Sequence, residues 1–110
     1  MQITSLTELM HQHLTIAREA SSGRSAHTVY GGHEQDLRQT LIALVGGRHL
    51  DDHENPGEAT LQVLNGTVRL TAGGSDWDAG PGDLLVIPPS RHGLEALEDC
   101  VVLLTVAARA

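Results

Sequence analysis

After Gly23 the chain is cut into short apolar segments by closely spaced turn signals, and this punctuation constrains the fold more than any other feature of the sequence. The signals are Gly31-Gly32, Gly46-Gly47, Asn55-Pro56-Gly57, Asn65-Gly66, Gly73-Gly74, Gly80-Pro81-Gly82 and Pro88-Pro89. Between them lie segments rich in leucine and β-branched residues: Ala26–Tyr30, Leu37–Val45, Ala59–Leu64, Val68–Ala72, Asp76–Ala79, Asp83–Ile87, Gly93–Leu97 and Cys100–Ala107. Asn65-Gly66 and Gly73-Gly74 are strong hairpin dipeptides because both supply residues that tolerate positive φ. About eight strands in series, with no helix between them, predict an antiparallel sandwich or barrel and exclude parallel βαβ folds. Leu84–Ile87 and Cys100–Val106 are apolar at both parities, which predicts strands buried on both faces.

The segment before Gly23 has a different period. Ser5-Leu6-Thr7-Glu8 fits a capping box, and Leu6, Leu9, Met10, His13, Leu14 and Ala17 follow the spacing of one helical face. Ser21-Ser22-Gly23 stops the pattern. The chain therefore divides into a helical segment, residues 1–23, and an all-β domain, residues 24–110. A one-faced helix frays unless it lies on something, so the helix, or a second subunit, is expected on the outside of the last strand. His11 and His13 are two apart, do not share a helical face, and read as surface or boundary residues.

Composition removes whole classes of function. A chain of 110 residues makes one domain. Its net charge of −7 argues against nucleic acid and anionic membrane as partners, since both need a basic face. All seven basic residues are arginine, so Schiff-base chemistry and a Gly-Lys-Ser/Thr phosphate loop are excluded. The single cysteine, Cys100, rules out an intrachain disulfide and a multi-cysteine zinc site. Only Trp77 and Tyr30 are aromatic, so base-stacking platforms are missing. No apolar run approaches the roughly 20 residues of a membrane span, and no secretory signal is visible, so the expected location is the cytoplasm.

Seven histidines remain, five of them in the β region: His27, His33, His49, His53 and His92. Neutral imidazole is both a metal ligand and a proton carrier near neutral pH, so spacing decides what they are for. Gly47-x5-His53-x-Asn55, ending in Val63-Leu64-Asn65-Gly66, resembles the first cupin motif, G-x5-H-x-H-x3,4-E-x6-G. Gly82-Asp83-Leu84-Leu85-Val86-Ile87-Pro88 through His92 resembles the second, G-x5-P-x-G-x2-H-x3-N. The resemblance covers roughly residues 37–107 and implies a small single-domain cupin: a jelly-roll β-barrel carrying a short N-terminal helix.

Metal-binding cupins bring the two histidines and the glutamate of the first motif together with the histidine of the second. Carried over residue by residue, His53 and His92 match the outer histidines, Asn55 stands at the second histidine, and Ala59 at the glutamate. Glu58 is adjacent, but one step along a strand reverses the face. The second motif also departs: Ser90 replaces its glycine, a residue is missing before His92, and Ala96 stands for asparagine. Two imidazoles and an amide fall short of the three or four ligands normal for zinc or non-haem iron. Further donors are sought in His33, which follows Gly31-Gly32 at an open end, in His27, and in His49, which shares the parity of His53 if the strand runs unbroken.

The resemblance thus implies an interior pocket for a small organic molecule, with His53, His92, Asn55 and His33 as candidate metal residues and a divalent ion (iron, zinc, nickel or manganese) as cofactor. Arg38 and His49 are candidate pocket residues, Arg38 because a guanidinium at a barrel mouth holds a carboxylate in bidentate fashion. Three functions stay open: a metal-dependent enzyme of oxygenase or isomerase type, a metal-free module that binds or senses a small molecule, and a metal-free isomerase or epimerase with His92 or His53 as general base. Small cupins imply a homodimer. Asp51, Asp52, Glu54, Glu95, Glu98 and Asp99 read as solvated charges, Cys100 as a small buried residue, and Trp77 as a core or interface residue.

Overall fold

The structure is a computed structural model that describes residues 1–53 and 57–107, with the backbone alone for Asp52 and His53. Helix α1 (Leu6–Glu19) is followed by nine strands: β1 (Arg24–Tyr30), β2 (Leu37–Leu44), β3 (His49–His53), β4 (Glu58–Asn65), β5 (Val68–Ala72), β6 (Ser75–Ala79), β7 (Leu84–Val86), β8 (His92–Ala96) and β9 (Cys100–Ala107). They form two antiparallel sheets, ordered β1-β2-β9-β4-β7 and β3-β8-β5-β6. The chain passes from one sheet to the other repeatedly, as a jelly roll does. The strand β3 is the one the turn pattern does not announce, because its residues, His-Leu-Asp-Asp-His, are mostly polar.

Alternation divides the apolar residues between two cores. The inner faces of the sheets contribute Ile42 and Leu44, Leu61 and Val63, Val68 and Leu70, Leu94 and Ala96, and Cys100 and Val102. The opposite parity of β2 and β9 gives Leu41, Ala43, Val101 and Leu103, which pack outside the barrel against Leu14 and Ala17 of α1. Hence the first half of β9, Cys100 to Leu103, is buried on both faces, the helix supplying the outer cover, while Leu104 to Ala107 are only half-buried. Trimming Leu14 to alanine is worth about 2–5 kcal/mol at a site so enclosed. β7 departs from the expectation: Leu84 and Val86 are 61% and 77% exposed, because β7 is a sheet edge that the helix does not reach.

The Ser5 hydroxyl accepts the Glu8 amide N–H at 3.2 Å, one half of the capping box. The far end of the helix is tied down by Arg18, whose Nε donates to Asp99 Oδ2 at 2.9 Å, while Asp99 Oδ1 accepts the Gly46 N–H. Those two hydrogen bonds, the backbone one foremost, hold the Asp99 carboxyl below its ordinary range, so this residue fastens two loops rather than merely facing water. His13 also departs from expectation. It is buried on the sheet side of α1, its Nδ1 in hydrogen-bonding contact with Ser25 Oγ and its ring 5.1 Å from that of His27. Among the described residues no helix is long and apolar enough to cross a membrane.

Candidate functional site at one end of the barrel

One end of the barrel gathers the start of β2, the end of β9, the start of β4, the end of β7 and the start of β8. Arg38 pairs with Val106, and Val106 with Ala59, forming one cross-strand row on the inner side of the larger sheet. The Ile87 N–H donates to the Ala59 carbonyl at 3.0 Å, which brings the end of β7 to the same level. Residues 88–91 then cross to the other sheet, where His92 opens β8 opposite His53 on one side and Ala72 on the other. At this level the described inner wall carries Arg38 and His92, with Ser75 across from Ala72 on the row of His92, among apolar residues.

His92 lies on the same parity as Leu94 and Ala96 and is 6% exposed. Its Nδ1 is 3.0 Å from the Ser90 carbonyl oxygen. A carbonyl only accepts, so the ring is the Nδ1–H donor there, and in the neutral imidazole the lone pair belongs to Nε2. Ser90 thus matters through its backbone, two residues upstream, and no side-chain motif announces that role. Arg38 keeps an exposed guanidinium, and among the described residues it has no hydrogen-bond or ion-pair partner, in contrast to Arg18 and Arg69.

The remaining candidates separate. Asn55 and the side chain of His53 lie outside the described residues; the backbone register alone sets His53 across from His92. His33 is exposed in the connection between β1 and β2, at the same end as Arg38. His49 does not belong to the interior. It is exposed, its Nε2 is 3.6 Å from Asp51 Oδ1, and its strand partner is the exposed Glu95. The parity argument fails because Leu50 pairs with Leu94 and His53 with His92, three steps against two, so a bulge resets the alternation. His27 is likewise outside the barrel, beside His13.

The glutamate position tests whether these residues suit a metal ion. β4 pairs without irregularity from Glu58 to Val63, so Glu58 is exposed and Ala59 turns inward, 8% exposed. No bulge returns the Glu58 carboxylate to the interior. Among the described residues no group of three or more histidine, cysteine, aspartate or glutamate side chains converges. The described wall offers one inward imidazole and an alanine where a carboxylate ligand is wanted, and that set does not fit a divalent ion. Cys100 gives no alternative: it is fully buried in the core, where desolvation pushes its thiol up to about 11.

A second concavity opens on the side of the barrel. Leu70, Trp77, Leu85, Val86 and Pro88 line a cleft of about 170 Å³ between the edges of the two sheets. Trp77 is 48% exposed there, so of the core and interface roles its setting suggested, the core one does not hold.

Comparison with known proteins agrees with this architecture. The sequence profile described as "Cupin domain" matches residues 40–106. Among curated proteins no sequence matches the chain. A conserved protein of unknown function from Streptococcus pyogenes is 26% identical, with a TM-score of 0.73 over 83% of this chain and 79% of its own. An RmlC-like cupin protein from Desulfovibrio desulfuricans is also 26% identical, with a TM-score of 0.67 over 76% and 81%. The salicylate 1,2-dioxygenase of Pseudoaminobacter salicylatoxidans, at 19% identity, shares the fold with a TM-score of 0.77, over 91% of this chain and 34% of its own.

Proposed function

Since the chain belongs to the cupin domain family, we propose that the barrel end marked by Arg38 and His92 binds a small organic acid without a resident metal. The observation that carries this reading is that a guanidinium with no partner among the described residues and a buried imidazole stand at the same end of the barrel, on a mostly apolar wall. The two groups have different work. Arg38 offers a planar fork suited to a carboxylate, and the His92 imidazole offers a hydrogen-bonding group to a hydroxyl or amine on the same ligand. Burial of His92 raises the value of its contact by excluding water, whereas Arg38 meets the ligand from the solvent side.

The test is calorimetric titration with a panel of small hydroxy, keto and amino acids, using the wild type, Arg38→Gln and His92→Gln. Saturable binding is expected, weakened about tenfold or more in either variant, which corresponds to about 1.4 kcal/mol or more. Binding that is unaffected by both substitutions removes the proposal.

A resident divalent ion, with enzymatic turnover of oxygenase or isomerase type, is the second reading, supported by the register that opposes His53 to His92 and by the shared fold of a dioxygenase. It calls on His53, Asn55 and His33 to supplement His92. Elemental analysis of untagged protein separates the readings: near-stoichiometric iron, zinc, nickel or manganese that disappears in His53→Ala/His92→Ala favours the metal.

We also propose a homodimer. α1 covers only part of the outer face of the larger sheet. Beyond it, Tyr30, Gln39, Thr105 and Thr60 follow one another across four strands with no charge among them, in a chain of net charge −7. An uncharged row on an acidic protein suits a second copy, because self-association elsewhere meets like-charge repulsion.

A further inference from the structure

The cleft between β6 and β7 has a construction of its own. β6 is the free edge of one sheet and β7 the free edge of the other, so the sandwich is open along this seam. Leu70 pairs with Trp77, and Leu85 with Leu61; Leu70 and Leu61 are core residues, which puts the indole and Leu85 on the two inner faces that part here. Val86 and Pro88 complete the lining, so the walls are apolar throughout and the only polar atom their side chains bring is the indole N–H.

Trp77 is held in place by the residues beside it. On the other face of β6, Asp78 takes two hydrogen bonds from Arg69, at 2.7 and 3.1 Å, and Asp76 takes one from Thr71 at 2.9 Å. The turn into β7 is fixed by Asp83, which accepts the Gly80 N–H. The ring is therefore presented at the seam by a fastened strand, half exposed, in a chain whose only other aromatic residue is Tyr30.

Size and charge define the occupant. An apolar cavity of about 150 Å³ takes up benzene, and this cleft measures about 170 Å³. The indole face adds offset stacking with a ring. The lining carries no cation and the whole chain carries −7, which disfavours an anion. We propose that this seam is a side-entry binding site for one uncharged monocyclic aromatic group, stacked on Trp77 and distinct from the acid-binding end of the barrel. The opposite charge preference separates the two sites chemically.

The sole tryptophan makes the test direct. Wild-type protein is titrated with benzyl alcohol, and separately with benzoate, while Trp77 emission is followed; the rim variant Val86→Asp alters a position 77% exposed and leaves the core intact. Expected is a saturable blue shift with benzyl alcohol, with a dissociation constant in the millimolar range for so small a ligand, and a response to benzoate at least about tenfold weaker. Val86→Asp should weaken benzyl alcohol about tenfold with an unchanged melting temperature. No saturable shift, equal binding of benzoate, or full retention in Val86→Asp overturns the proposal. Emission that instead depends on protein concentration alone also overturns it, since a second copy then covers the seam.

Discussion

Glu58 and Ala59 are adjacent in β4 and face opposite ways: the carboxylate stands in solvent, and the methyl group faces the barrel interior in the row that contains Val106 and Arg38. A single-residue offset separates a wall that offers an acidic ligand from one that does not, because strand side chains alternate.

The offset is testable by moving the carboxylate. Ala59→Glu should raise cobalt(II) affinity by about tenfold or more over wild type, since it supplies the inward oxygen donor that the site lacks. Glu58→Gln should leave cobalt binding unchanged. Titration followed by visible absorption reads both, and a large loss in Glu58→Gln would show that β4 carries a different face inward.

A pH dependence follows from the helix interface. Burial, and then the nearby His27, lower the pKa of His13 below its ordinary value. The unfolded chain therefore takes up a proton that the folded chain resists, so stability is greatest above the ordinary histidine range of about 6.5 and falls as pH drops from there through the lower folded value. Urea midpoints by circular dichroism should fall between about pH 7.5 and about pH 5.5, and His13→Gln should flatten that slope. An equal slope in the variant would place the effect elsewhere.

Glycine substitutions separate crowding from backbone preference. Gly66 has φ +76°, and a Cβ there would lie 2.2 Å from the Asp99 carbonyl oxygen. Gly74 has a similar φ of +79° but nothing within 4 Å. Gly74→Ala should cost about 1 kcal/mol from its left-handed conformation alone, and Gly66→Ala about 3 kcal/mol or more, because the β4–β5 turn must also retreat from β9. Denaturant midpoints at unchanged m-value are the check.

What the sequence discloses follows from which interactions are local. The turn dipeptides, the helical face from Leu6 to Ala17 and the paired apolar parities of β9 each depend on neighbours a few residues away, and the architecture was legible from them. The site was legible only in part. Arg38 and His92 lie at one end of the barrel, whereas His49 faces solvent, because a bulge between Leu50 and His53 cannot be counted from residue types. The seam at Trp77 escaped for a related reason: strand polarity reports which face is wet, whereas the opening there depends on where two separate sheets end. The contact of Asp99 with Arg18 joins positions far apart in the chain, and no local pattern signals it.

The homodimer yields the last prediction. The face from Tyr30 through Gln39 and Thr105 to Thr60 is flanked by exposed Leu37 and by the N-terminal residues, where Ile3 is 90% exposed. A stable pair needs about 800 Å² from each partner, more than the short row alone provides, so the N-terminal arm must contribute. Deleting residues 1–4 should weaken association without unfolding the barrel, since Ser5, the helix cap, is kept. Leu37→Glu with Thr105→Glu should go further and give monomers, because each copy then places two carboxylates against its mate in a protein already at −7. Sedimentation equilibrium of the three proteins decides the matter. Twice the chain mass for wild type, an intermediate average for the truncation and a single chain mass for the double variant are expected; a wild type that stays monomeric, or a double variant that stays dimeric, rejects this face.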